Sequence, residues 1–328
     1  MIDRRKKDHI KICMEEDVEG GDTGLSQIKL AHMSLPEVDF SKIRTDTNFL
    51  GRRMKFPLII EAMTGGTQES GKINKDIATV TQKYGIGFGV GSQRAAIEDP
   101  TLESTYAVRD VAPDVLLIAN IGAVQLNYGY TVKECQKAVD MIKADALALH
   151  LNPLQEAIQP EGNTNFSGLI SKINAVKAKV KCPVIAKAVG SGIRLDTAKM
   201  LKVDAIDVGG AGGTSWCMVE GLRGSQMIRD VSKTFVGWGV PTADCIRELE
   251  RLNIPLIGSG GIRTGLDAAK AVALGADVVG VALPILRAYG SLGVKGVSDY
   301  LDKFMFEFKI AMFLTGSAEV KDLRGKVV

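Results

Sequence analysis

Ala146-Leu147-Ala148-Leu149-His150-Leu151-Asn152-Pro153-Leu154-Gln155-Glu156 is an apolar run that stops abruptly in an imidazole, amides and a carboxylate. A buried strand ending in a cluster of polar groups delivers those groups into a pocket. Working outward, the same kind of run recurs at 57–62, 86–90, 115–119, 184–187, 205–208, 256–258 and 278–282, which with 146–150 makes eight. Stretches of helical period separate them. Many of the runs lack an internal polar residue, as strands covered on both faces require. The alternation predicts a parallel sheet wrapped by helices, and eight units favour an α/β fold closed into a (β/α)₈ TIM barrel over an open doubly wound sheet. The expected organisation is an N-terminal extension, 1–56, and a barrel, 57–328, acting as a single domain with a C-terminal helix.

Composition narrows the classes. The 328 residues are 45% hydrophobic, enough for a large core, and the formal net charge is only +3. Lys and Arg are spread along the chain, which argues against nucleic acid as a partner while allowing local capture of an anion. No apolar run approaches the ~18 residues of a membrane span, and residues 1–9 are too charged for a secretory signal. The five cysteines are scattered and form no C-x-x-C pair, so a reduced, cytoplasmic enzyme is expected.

Residues that follow the strands line the C-terminal mouth of such a barrel, where its chemistry sits. Here they are Met63-Thr64-Gly65-Gly66, Gly91-Ser92-Gln93-Arg94, Asn120-Ile121-Gly122, the 152–156 cluster, Gly209-Gly210-Ala211-Gly212-Gly213-Thr214 and Ser259-Gly260-Gly261-Ile262-Arg263. Gly260 and Gly261 let backbone approach a ligand, and the helical spacing of 264–275 aims a helix N-terminus at an anion. A phosphate is expected there, with Ala282 and Leu283 as the other wall. Lys187 lies among Ile185, Ala186, Ala188 and Val189, so its ammonium needs a compensating partner. A reduced flavin edge is one source; a strand-end lysine reaching solvent is the plainer reading. Glu156 reads as linked to Mg²⁺ or a diphosphate, set against a surface carboxylate capping a helix. His150 reads equally well as a hydrogen-bonded structural histidine and stays outside the catalytic set.

Arg5-Lys6-Lys7-Asp8-His9, M-T-G-G at 63–66, G-S-Q-R at 91–94, H-L-N-P-L-Q-E at 150–156, G-G-T at 212–214 and G-S-G-G-I-R at 258–263 together resemble the type 2 isopentenyl-diphosphate isomerase family, in order and over nearly the whole chain. The resemblance implies interconversion of isopentenyl and dimethylallyl diphosphate with FMN, kept reduced by NADPH or another donor, and with Mg²⁺. In family terms a proton is added to the alkene and another removed, with reduced flavin as acid and base. The three histidines leave few titratable side chains for that task.

Carried over by position, Arg5 and Lys6 resemble the pair that closes over the diphosphate, helped by Ser92, Gln93 and Arg94, although a basic N-terminus read from charge alone is a solvated one. His9, Asn152 and Gln155 resemble the polar groups around the diphosphate and alkene, and Glu156 the Mg²⁺ ligand. Ala62, Met63, Thr64, Ser92, Asn120, Lys187, Thr214, Gly261, Ile262, Arg263, Ala282 and Leu283 resemble the flavin cradle, in which Lys187 would stabilise the reduced ring. The catalytic set is Gln155, Lys187, His9 and Asn152.

Two positions depart from the family pattern: Ala188 stands where Glu is common, and Gly209 where Ser is. A different enzyme reading is an FMN-dependent oxidoreductase of the 2-hydroxy-acid oxidase or glutamate synthase type, but residues 209–216 hold no histidine base and no cysteine ladder exists. A flavin-binding protein without activity is the third. Related enzymes form tetramers and octamers, and 300–314, with Phe304, Phe306, Phe308, Met312 and Phe313, carries more aromatic surface than one helix face buries, so a homo-oligomer is expected.

Overall fold

The computed structural model describes residues 2–328, with side chains from Arg5 onward. All eight apolar runs form strands: β3 (Leu58–Ile60), β4 (Gly87–Gly89), β5 (Leu117–Gly122), β6 (Ala146–Leu151), β7 (Val184–Ala188), β8 (Ala205–Asp207), β9 (Leu256–Ser259) and β10 (Val278–Val281). They are parallel and close in sequence order, β10 pairing with β3 at Val279 and Leu58. A short hairpin, β1 (Thr47–Phe49) and β2 (Arg52–Met54), precedes them.

The hairpin is absent from the sequence reading because Thr-Asn-Phe and Arg-Arg-Met carry no apolar alternation. Its turn places Leu50 and Gly51 at positive φ, 47° and 79°, the pattern of a two-residue turn that matches strand twist. Phe49 and Met54 are buried against Ile59, Ile118, Ala148, Ile185 and Ile257 from inside the barrel. The hairpin therefore plugs the N-terminal end, each side chain contributing about 2 kcal/mol of burial.

Side chains alternate across a strand, so the residues two places further on form the next inward layer. Ile59, Ile118, Ala148, Ile185 and Ile257 are succeeded by Glu61, Asn120, His150, Lys187 and Ser259, and Ala205 by Asp207. The interior changes from apolar to polar in one step, and that step is the floor of the mouth.

Over the mouth lies the helix Ile2–Glu15, packed on the helices Trp216–Arg223 and Leu283–Leu314, with Ile10 and Cys13 buried in the main core. The last helix breaks at Leu292 (φ −135°) and Gly293 (φ 58°). Phe304 and Phe308 are buried against Phe56, with ring centroids 6.3 and 4.9 Å away, whereas Phe306 is 58% exposed. No helix among the described residues is long and apolar enough to cross a membrane.

Candidate active site

Lys187 projects from β7 into the floor and is 9% exposed. Its Nζ lies 2.8 Å from Glu61 Oε2 and also binds Asp207, whose second oxygen accepts from Ser259 Oγ. Burial alone would lower the lysine pKa, but the two carboxylates override it and raise it. The compensating partner that the sequence left open between a flavin and solvent is thus supplied by the protein. Beside this group His150 Nδ1 lies 2.7 Å from Asn120 Oδ1. Burial, with Lys6, Lys187 and Arg5 nearby, pushes His150 down to about 3, so the ring is neutral.

The wall is built from the 152–156 cluster and the N-terminal helix. Asn152 Nδ2 donates to Gln155 Oε1 and Glu156 Oε1, both at 3.0 Å. Gln155 Nε2 donates to Glu220 Oε1 at 2.9 Å, and His9 Nε2 lies 2.9 Å from the same oxygen. Arg223 binds the other Glu220 oxygen. Burial would raise the pKa of Glu220, which is fully buried, but the His9 and Gln155 hydrogen bonds and the Arg223 charge hold it at about 2. Burial beside Arg5 pushes the Lys6 ammonium down to about 8.

One cavity gathers most of the expected residues: Arg5, Lys6 and His9 from above; Ser92, Arg94, Asn152, Gln155 and Glu156 from one side; and Ala62, Met63, Thr64, Asn120, Lys187, Thr214, Gly261, Arg263, Ala282 and Leu283 from the floor and far side. Gln93 and Ile262 are not in its lining. Gln93 is fully buried, its side-chain amide donating to the Ala138 carbonyl and accepting from the Asn120 backbone N–H, so it braces the loop from outside the cavity lining. Ile262 packs in the core, leaving only its backbone for a ligand.

The helix N-terminus expected to face an anion is already occupied. The helix Gly265–Leu274 begins with a Thr264–Asp267 capping box, and Glu307 accepts from the Gly265 amide. Arg263 is paired with Glu19, its Nε 2.6 Å from Oε1. Of that expected site, the Gly260–Gly261 loop is the part that borders the cavity. Both glycines have positive φ, 98° and 74°, and a Cβ on Gly261 would stand 2.5 Å from Gly212 O, so the two glycine loops meet backbone to backbone. The two departures from the family pattern also meet: a Cβ on Gly209 (φ 42°) would be 2.2 Å from Ala188 O.

Glu61, Asp207 and Glu220 are absent from the sequence reading. For the first two a cue existed, a carboxylate inside an otherwise apolar run and in phase with its inward residues. Glu220 has one local partner, Arg223 on the same helix, but His9 and Gln155 come from far away in sequence, and an i,i+3 pair by itself marks only a solvated helix face.

Residues 130–328 match the FMN-dependent dehydrogenase family. An isopentenyl-diphosphate delta-isomerase of Nostoc sp. is 49% identical over 98% of this chain and 93% of its own. That of Ignicoccus hospitalis is 45% identical over 99% and 92%. The chain belongs to the isopentenyl-diphosphate delta-isomerase family. Among solved structures, the lactate oxidase of Pediococcus acidilactici superposes on this isomerase-family chain with a TM-score of 0.65 at 16% identity, covering 96% of this chain and 84% of that one, a likeness of fold alone.

The isomerase-family cavity fits a polar cofactor. Arg5 Nε, Asn152 Oδ1 and Glu61 Oε1 are buried in its lining without a hydrogen-bond partner, and Arg5, Lys6, Arg94, Lys187 and Arg263 stand among its neutral hydroxyl and amide donors. For a metal, the described residues contain no convergent group of three His, Cys, Asp or Glu side chains. Of the two carboxylates in the lining, Glu61 is paired with Lys187, and Glu156 accepts from Asn152 Nδ2 and the Asn163 amide; a Mg²⁺ ion commonly takes one or two carboxylates and completes its shell with substrate phosphates and water.

Proposed function

We propose that this chain interconverts isopentenyl diphosphate and dimethylallyl diphosphate as an intramolecular isomerase, with reduced FMN as cofactor and acid–base, NADPH as its reductant and Mg²⁺ as the diphosphate's counter-ion. The observation that carries the reading is the convergence of Arg5, Lys6 and His9 with Asn152, Gln155 and Glu156 over a floor that holds Lys187.

In this reading the extension 1–56 serves the barrel 57–328 by bringing Arg5 and Lys6 to the diphosphate, together with Ser92 and Arg94. Arg94 is presented by Glu98 and Asn163, which accept from its Nε and Nη1 at 2.8 and 2.9 Å. Glu156 would hold Mg²⁺ against the diphosphate. Flavin would lie across the floor, its phosphate at the Gly260–Gly261 loop and the Ala282–Leu283 corner, with Thr64, Asn120 and Thr214 as polar contacts and Ala62 and Met63 as apolar ones. The cofactor supplies the proton chemistry. The chain's own residues orient the alkene, exclude water and hold neighbouring charges still, which suits a carbocation-like state that water would quench. Gln155, locked between Asn152 and Glu220, and His9, locked on Glu220, set the polar side of that pocket.

We place the enzyme in the cytoplasm as a homo-oligomer, a tetramer or octamer. Phe306, Ile310 and Leu314 form an exposed apolar row at helical spacing, and a monomeric mass by light scattering at micromolar concentration would refute that assembly. The function is tested by anaerobic incubation with FMN, NADPH, Mg²⁺ and isopentenyl diphosphate. Dimethylallyl diphosphate appearing only with reduced flavin is expected; flavin reduction without product would support the oxidoreductase instead.

A further inference from the structure

Lys187 faces two carboxylates, Glu61 one residue past β3 and Asp207 from β8, and the two are not equivalent. Asp207 is 1% exposed and fully engaged: one oxygen binds Lys187, and the other accepts from Ser259 Oγ and, at 3.3 Å, from the Gly209 amide. Glu61, 7% exposed, has one oxygen 2.8 Å from Lys187 Nζ, while its Oε1 is buried in the cavity lining with no partner. Room for it is left by Gly280 of β10, where a Cβ would stand 2.5 Å from Oε1. The strands beside β3 present Gly280 and Gly89, and among the described residues the charged groups facing Glu61 are Lys187 and Asp207. His150, beside Lys187 on β6, is turned to Asn120.

One ammonium and two carboxylates make a buried group with one negative charge in excess, and the oxygen with no donor marks where a proton would be taken up. We propose that Glu61 is a positioning residue that sets how much of the Lys187 charge reaches the bound flavin. Ionised, Glu61 shares the ammonium with Asp207 and leaves the floor net negative; protonated, it leaves a neutral Lys187–Asp207 pair. Burial and the Asp207 charge push the Glu61 carboxyl up to about 8, which places this change within reach of ordinary buffers. A net negative floor opposes the anionic reduced ring more than the neutral oxidised one, so reduced FMN is held less tightly as pH rises through that value.

The inference rests on the FMN reading above, and its test separates the two. Dissociation constants for oxidised and reduced FMN are measured anaerobically on the full-length protein and on Glu61→Gln, from about pH 6.5 to about 9.5 so as to bracket the carboxyl's value. In the native protein the ratio of reduced to oxidised constants is expected to rise about tenfold across the range, as one unit charge a few ångströms away produces. In Glu61→Gln it stays flat at the low-pH value. Coincident profiles overturn the proposal for Glu61 alone, and so does a flat native profile, which needs no variant. No flavin binding by either protein removes the cofactor reading and the proposal together.

Discussion

Gln155 has both ends of its amide committed, the nitrogen to Glu220 and the oxygen to Asn152, so the face it turns to the cavity is held in one orientation. Gln155→Ala removes that face without touching the glycine loops. Turnover is expected to fall below detection while flavin absorbance still titrates, and full activity in the variant would refute the assignment. Glu220 is the more consequential residue for stability because His9, Gln155 and Arg223 converge on it. Glu220→Ala leaves His9 and Gln155 without their buried acceptor, while Arg223 keeps Glu161 and Asp8, and is expected to cost about 2–4 kcal/mol in urea unfolding. Its folded pKa of about 2 lies below the ordinary 4.5, so its contribution is complete above about pH 4.5 and is lost as pH falls toward 2. Acid unfolding of Glu220→Gln, compared with the native protein, reads that loss as a shallower dependence.

At the scale of elements, the hairpin β1–β2 and the helix Ile2–Glu15 close opposite ends of the barrel and do different work. Phe49→Ala leaves a cavity in the plug and is expected to cost about 3–4 kcal/mol with KM unchanged, because the mouth lies at the other end. The N-terminal helix carries Arg5, Lys6 and His9 on the face it turns to the cavity. Since Lys6 loses its charge as pH rises through about 8, KM for the diphosphate is expected to climb above that pH, and a Lys6→Met profile is expected to be flat there. The strands were legible because a two-face-buried strand writes itself as an apolar run. The hairpin was not, since three-residue strands with Arg and Asn have no period to detect. The apolar run ending at Ala119 predicts an exit loop at Asn120, whereas β5 runs on through Gly122 and the residue is buried in the strand.

For the whole molecule, a cofactor bound to the folded chain alone stabilises it by mass action. FMN at a hundredfold excess over its dissociation constant is expected to add about 2.7 kcal/mol and raise Tm by several degrees in a thermal melt. The chain by itself determined the eight strands, their closure and the ring of glycines, amides and hydroxyls at the mouth, because burial on both faces and backbone freedom are local demands visible in local sequence. Tertiary structure alone decided what neutralises Lys187, what Glu220 is for, that Gln93 braces a loop, and that the helix after Gly261 spends its N-terminus on Asp267 and Glu307. Apart from the local Thr264–Asp267 cap, each of those pairs groups distant in sequence. A charge or a hydrogen bond is satisfied by whatever the fold brings within about 3 Å, and no local pattern records which residue that will be.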